Sequence, residues 1–261
     1  METADIIIKN AAELITLIGV NQPRTKKQMS ELSIIKNGSV AIKKDKIIAV
    51  GKNLRHKAEH IIDATGKTVM PGFVDSHTHL VFAGSREFEL DMKLKGFSYM
   101  EILKKGGGIF YTVQETRKAS EESLFEQSKK RLDTMLSYGT TTCEAKSGYG
   151  LDTKNELKIL KVQKKLNEKQ EIDIVSTFMG AHAVPKDQQT DDYVKVVIDD
   201  MLPKVKDLAK FCDVFCEKGV FTTEQSKKIL LAGKKYGLTP KIHADEIVDT
   251  GGAALAADMG A

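Results

Sequence analysis

Thr68-Val69-Met70-Pro71-Gly72-Phe73-Val74-Asp75-Ser76-His77-Thr78-His79 opens the longer of two textures in this chain. It reads as an apolar strand, Thr68–Asp75, interrupted by Pro71-Gly72 and ending in polar residues. His77 and His79 are two apart, so on an extended segment both imidazoles leave on one side, close enough to share a metal ion. His-x-His by itself is a weak pattern, and its weight depends on what surrounds it.

Downstream, strands and helices alternate. Ser120–Tyr138 reads as a helix, with Ser120 as N-cap, capping-box spacing at Ser123 and Glu126, and Leu124, Leu132 and Leu136 on its apolar face. Thr140–Glu144 is a second strand, 153–168 a Lys-rich amphipathic helix and Ile172–Met179 a third strand. The span 191–208 reads as one helix despite Pro203. Phe211–Glu217 is a fourth strand, Thr222–Tyr236 a helix stopped by Gly237, Pro240–His243 a fifth strand, and a further helix starts at Gly251. Repeated strand then helix, with nearly apolar strands, predicts a parallel sheet covered by helices.

An open doubly wound sheet and a (β/α)8 barrel both fit that pattern. No Gly-x-Gly-x-x-Gly follows a strand, and Gly106-Gly107-Gly108 reads as a flexible loop rather than a phosphate cradle. The barrel is favoured by the strand ends, where barrel catalysts sit. Four of the five strands end in polar or ionisable groups: Asp75 to His79, Glu144 to Tyr149, Gly180-Ala181-His182, and His243 to Glu246. His243 gives a third imidazole beside His77 and His79, the beginning of a nitrogen-rich site for Zn or Fe. Glu217, at the end of the fourth strand, is read as a supporting residue and not a ligand.

Upstream, residues 1–68 are short β-rich runs (Ile6-Ile7-Ile8, Ile15-Thr16-Leu17, 39–42, 46–50 and 61–63) separated by turn signals such as Asn37-Gly38. They predict a small, mostly antiparallel β unit, with residues 21–31 as a polar loop. His56 and His60 lie in its Lys-rich stretch and read as solvated.

Composition sets the outer limits. Forty Lys and Arg against 36 Asp and Glu leave +4 over 261 residues, too weak for a nucleic-acid stripe. Hydrophobic residues at 41% exclude disorder as the main state. Three cysteines, Cys143, Cys212 and Cys216, make no disulfide framework, and the last two are read as core packing. With no signal-peptide pattern and no membrane-length apolar run, the expected compartment is the cytoplasm and no membrane partner is expected.

The stretch from Val69 to His79 resembles the opening strand of the metal-dependent amidohydrolase superfamily, and residues 1–68 resemble its small β-sandwich. More narrowly, the chain resembles the imidazolonepropionase family of histidine degradation. The resemblance is carried by 77–86 (HTHLVFAGSR), Gly106 to Ile109, Lys146 to Leu151, 177–185 (TFMGAHAVP) and 243–246 (HADE). It implies a (β/α)8 TIM-type barrel with a small N-terminal β-sandwich, divided as 1–68 and 69–261, here cut off after about five βα units. The implied reaction is hydrolysis of the cyclic amide of 4-imidazolone-5-propanoate to N-formimidoyl-L-glutamate by a metal-activated water. By the same resemblance His77, His79 and His243 hold one metal ion, Zn or Fe. Arg86, Tyr149 and His182 bind the small-molecule substrate, with His182 also counted as catalytic. Glu246 touches substrate and shuttles the proton, and the protein is a homodimer.

The residue types suit that chemistry. A carboxylate such as Glu246 can carry a proton from water to the leaving nitrogen, and the planar fork of Arg86 can grip a propanoate. Two positions of the family, a metal-ligand Asp at the end of the eighth strand and a further His after the sixth, are not reached by Ala261. Residues 69–261 carry five units of about 39 residues, so the expectation is an N-terminal piece of a longer enzyme, poorly stable and weakly active alone. Two alternatives remain: another amidohydrolase, disfavoured because no lysine precedes Lys218 on the fourth strand to bridge two metals, and a non-catalytic barrel, disfavoured by intact His77, His79, His243 and Glu246.

Overall fold

A computed structural model of the chain describes residues 3–19, 22–98, 101–102 and 105–261. The chain divides into two compact units, Met1–Gly72 and Phe73–Ala261.

In the first unit, Ile6 to Ile8 and Ile15 belong to one strand, β1 (Ala4–Ile15), and not to two. Between them the register against its neighbour shifts from Ile8 to Ala11, and Asn10 takes a φ of 61°. This is a bulge at a residue that tolerates the left-handed region. Asn10 donates from Nδ2 to Asp63 Oδ1 at 3.0 Å, which fixes it. β1 pairs antiparallel with β2 (Ile34–Lys43), and β2 with β3 (Lys46–Gly51). On its other side β1 pairs parallel with β4 (Ala58–Asp63) and with β5 (Thr68–Val69). Ala4, Ile7, Ala11 and Leu14 of β1 are buried, the first two in one small apolar cluster and the last two in another. Gly38 is required here, because a Cβ at that position would lie 2.6 Å from Leu14 Cβ. The polar stretch 21–31 contains a 3-10 turn at Lys26–Ser30; its residue 21 lies outside the described residues.

The stretch 68–75 is not one strand. Thr68–Val69 pairs with β1, whereas β6 (Phe73–Thr78) pairs with β7 (Thr140–Lys146). Pro71 has no N–H to donate to a ladder, so pairing stops on one side of it and restarts on the other.

The second unit is a parallel sheet. β6 and β7 are followed by β8 (Asp173–Ala181) and β9 (Phe211–Cys216). The expected fifth strand is two short pieces, β10 (Thr239–Pro240) and β11 (His243–Ala244), both parallel to β9. Spatial order follows chain order throughout. A doubly wound sheet reverses its order at a switch point, and none occurs here. The sheet is therefore of the barrel kind, a parallel-strand α/β half-barrel.

Helices α1 (Phe88–Leu94), α2 (Ile109–Lys118), α3 (Glu121–Ser137) and α4 (Thr153–Lys169) accompany the first strands. The N-cap of α3 is Ser120, whose side chain accepts from Ser123 N, so the Ser123–Glu126 spacing is not the box. The expected helix 191–208 is three pieces: α5 (Thr190–Lys195), a π-helical segment (Val196–Met201), and α6 (Leu202–Val205) with Pro203 in its first turn. The ring of Pro203 clashes with a continuing α-helix, and a wider π turn ahead of it relieves the clash. α7 (Thr223–Lys235) starts at Thr222 with a capping box to Gln225, and α8 (Gly252–Met259) is last. One core gathers Phe178, Tyr193, Val214, Phe221 and Leu230; another gathers Leu124, Leu132, Ile159 and Leu166. Cys212 and Cys216 are both buried and unpaired, and Cys212 packs in the first core. Among the described residues no helix is long and apolar enough to cross a membrane.

Candidate metal centre and active site

The two edges of the sheet meet at their tips. β6 delivers His77, with His79 just past its end, and β11 begins at His243. One ligand atom from each of His77, His79 and His243 lies within 4.8 Å of the others. His243 Nε2 is 3.0 Å from His77 Nε2, and the ring centroids are 4.7 Å apart. His79 donates from Nδ1 to Ser147 O at 3.2 Å, which leaves its Nε2 lone pair free for a ligand. Burial, and then the neighbouring imidazoles of His182 and His243, hold the pKa of His79 well below the ordinary value. Burial, followed by His243, also lowers that of His77. Neutral imidazoles with oriented nitrogens are the state in which histidine binds metal, so the donor set fits one ion.

His182, at the end of β8, stacks on His79 with centroids 4.6 Å apart and planes at 13°. Its Nδ1 donates to Gly148 O at 2.9 Å. Burial is the main cause that pushes its pKa down to about 4. Tyr149 lies 5.3 Å from both the His79 and His182 rings, and burial raises its hydroxyl pKa. Gly148 has a φ of +109°, and a Cβ there would sit 2.7 Å from His182 Nδ1. Only glycine allows the strand end to turn this close to the imidazole. The loop that carries Tyr149 is tied by the buried Glu156, whose carboxylate accepts the N–H groups of Gly148, Gly150 and Leu151.

Arg86 donates from Nε to Glu89 Oε1 at 3.0 Å. The same oxygen of the buried Glu89 accepts Gly108 N at 2.6 Å, so the glycine run meets a carboxylate of this chain. A cavity of about 780 Å³ is lined by Arg86, Tyr149, His182, His243 and Glu246. A second of about 650 Å³ takes in His77, Lys146 and Asp213. The two share His243 and Glu246. The structure thus brings all seven residues singled out from the sequence around one place, with Glu246 exposed at its rim.

Glu217 is buried and accepts the backbone N–H of Ile247 at 2.9 Å and of Lys218 at 2.8 Å, pinning the turn after Glu246. His60 is exposed on β4, whereas His56 is half-buried and its Nδ1 has no hydrogen-bond partner, so solvation describes only the first. A buried charge cluster was not legible in advance: Lys146 Nζ lies 2.9 Å from Glu144 Oε1 and 2.7 Å from Asp213 Oδ2. Its sequence signal is a lone Asp213 inside the apolar run Phe211–Cys216, a charge that must find a buried partner.

The depressed histidines make a pH prediction for the metal-free protein. The folded-state pKa of His182, about 4, lies below the ordinary 6.5, so between these values the unfolded chain binds a proton that the folded chain refuses. Stability is complete above pH ~6.5 and falls by up to ~3 kcal/mol as the pH drops toward 4. Urea unfolding at pH 7 and pH 5 measures it; equal midpoints that shift only below pH 4 would contradict it.

The sequence signature of the amidohydrolase family matches residues 60–99. Imidazolonepropionase of Geobacillus sp. strain WCH70 is 54% identical over 98% of this chain, and the chain spans 63% of that relative's length. Among solved structures, 5-methylcytosine deaminase from Klebsiella pneumoniae covers 97% of this chain at a TM-score of 0.68, with 15% identity and 55% of its own length matched. An atrazine chlorohydrolase from Arthrobacter aurescens, solved with zinc and atraton, covers 98% at a TM-score of 0.64, with 16% identity and 58% of its own length matched. At those identities the two structures speak to the fold alone. The sequence match speaks to likeness: over nearly its whole length the chain is similar to imidazolonepropionase, and it carries the amidohydrolase signature at residues 60–99.

Proposed function

We propose that the protein containing this chain hydrolyses the cyclic amide of 4-imidazolone-5-propanoate to N-formimidoyl-L-glutamate. The observation that carries the reading is the convergence of three metal-competent imidazoles with Arg86, Tyr149, His182 and Glu246 on cavities that share His243 and Glu246. His77, His79 and His243 would hold one ion, Zn or Fe, since imidazole accepts both. When bound, the ion supplies Lewis acidity toward the ring carbonyl and toward water. Glu246 takes a proton from water and returns it to the leaving ring nitrogen. His182, kept neutral by burial, offers one ring nitrogen to the substrate while the other stays on Gly148 O. Tyr149 adds a hydroxyl donor beside the two stacked imidazoles. Arg86, steadied through Nε by Glu89, presents the rest of its guanidinium to the propanoate.

The finer architecture belongs to the same proposal. The parallel sheet is the first part of a (β/α)8 barrel, and the five-stranded sheet of the first unit is one layer of a small β-sandwich. The expected division 1–68 and 69–261 falls four residues ahead of the compact units Met1–Gly72 and Phe73–Ala261, since Val69 still pairs with β1. A cytoplasmic homodimer without nucleic-acid or membrane partners completes the reading.

The test is conversion of 4-imidazolone-5-propanoate by the full-length protein, compared with cyclic ureides and aminated pyrimidines. Turnover confined to the latter two would overturn the substrate assignment. In Arg86→Ala, loss of a charge-assisted pair worth ~1.5–3 kcal/mol should lower kcat/KM by ~10–100-fold, chiefly through KM. An unchanged KM would remove Arg86 from the substrate site.

A further inference from the structure

Asp213 is almost wholly buried in β9, among apolar neighbours. Its carboxylate meets His243 Nδ1 with Oδ1 at 3.2 Å and Oδ2 at 3.1 Å, and Oδ2 also takes Lys146 Nζ at 2.7 Å. Lys146 is shared with Glu144 at 2.9 Å. Glu144 Oε1 also takes Lys241 Nζ at 2.9 Å and Thr177 Oγ1 at 2.5 Å, and Glu144 O takes Thr78 Oγ1 at 2.6 Å. Every strand from β6 to β9, together with the segment between β10 and β11, thus contributes to one network that ends on His243. Two carboxylates and two ammonium groups balance, which is what permits the burial.

The three imidazoles are not held alike. His79 gives its Nδ1 hydrogen to a backbone carbonyl, whereas His243 gives its own to a carboxylate. An anionic acceptor fixes the tautomer and the ring plane and raises the basicity of the opposite nitrogen. That opposite nitrogen, His243 Nε2, is the one 3.0 Å from His77.

We propose that Asp213 is the positioning residue of the metal centre: it holds His243 with Nδ1 protonated so that Nε2 faces His77, and Lys146, clamped by Glu144, fixes Asp213 in place. This rests on the metal-centre reading of His77, His79 and His243. Asp213 itself stays one residue away from the ion and touches it only through His243.

The experiment measures Zn²⁺ affinity of the full-length protein by competition with a chromophoric chelator, and the His243 tautomer by ¹⁵N NMR in metal-free protein. In Asp213→Ala, Zn²⁺ binding should weaken ~10–100-fold with the circular dichroism spectrum retained. Asp213→Asn keeps an acceptor oxygen but not the charge and should fall between. In both, His243 should move from the single Nδ1–H tautomer to a mixture. Affinity within twofold of the parent and an unchanged tautomer would overturn the proposal. Should Asp213→Ala fail to fold, the near-isosteric Asp213→Asn carries the comparison alone. If the parent binds no Zn²⁺, the metal-centre reading fails, while the tautomer still decides whether Asp213 positions His243.

Discussion

His77→Ala is expected to strip the protein of its metal and lower turnover by ~10³-fold or more, with the fold retained. The side chain is exposed at the tip of β6, so its removal deletes little packing and leaves no cavity. What it deletes is a ring nitrogen 3.0 Å from His243 Nε2 in the set of three. A metal that polarises a carbonyl supplies several kcal/mol of barrier lowering, and every 1.36 kcal/mol is tenfold in rate. Metal analysis, steady-state assay and circular dichroism on the full-length variant measure the three parts of the statement. Full metal content with near-parental turnover would sink the active-site assignment. His79→Ala would be a poorer probe, because His79 also stacks on His182 and its loss confounds chemistry with packing.

Lys146→Met is expected to destabilise the protein by ~3–5 kcal/mol, a large fraction of the stability of an ordinary domain. Lys146, Glu144 and Asp213 are each less than 5% exposed. Methionine nearly conserves volume but leaves two buried carboxylates facing each other across the vacated ammonium position. Burial opposes the charge of the Asp213 carboxyl, and His243 and Lys146 together overcome it and hold the pKa down to about 2, so loss of Lys146 leaves His243 alone against burial. The exposed pair Lys165–Glu122, with N···O of 3.0 Å, is the contrast. Lys165→Met should change stability by less than ~1 kcal/mol. Urea unfolding of both variants separates the two cases, and equal small effects would mean that the buried cluster is no stronger than a surface pair.

What the sequence made legible follows from what is local. Alternating apolar strands and amphipathic helices mark themselves by periodicity, and the polar residues that end Thr140–Lys146 and Asp173–Ala181 mark themselves by breaking an apolar run. His77, His79, His243, His182, Tyr149 and Glu246 stand out as candidates in that way, whereas Arg86 comes from the family resemblance. What was missed depends on partners far along the chain. The split of 68–75 between two sheets is decided by which strand each half pairs with. The continuity of Ala4–Ile15 through Asn10 needs Asp63, 53 residues away. The π segment ahead of Pro203 is a compromise between a helix-breaking ring and a core that buries Val197, Met201 and Leu202. Asp213 announced only that it needed a partner, and Lys146 lies 67 residues before it.

The approach of His77 to His243 joins positions 166 residues apart, at opposite edges of the sheet. A metal bound across them closes a loop of that length, and it can do so only after every intervening strand has taken its place. Metal uptake therefore reports on completed assembly rather than on any early folding event. Since an ion that binds only the folded state stabilises it by RT ln(1 + [L]/Kd), an ion held at the proposed centre would also act as a clasp against opening of the sheet.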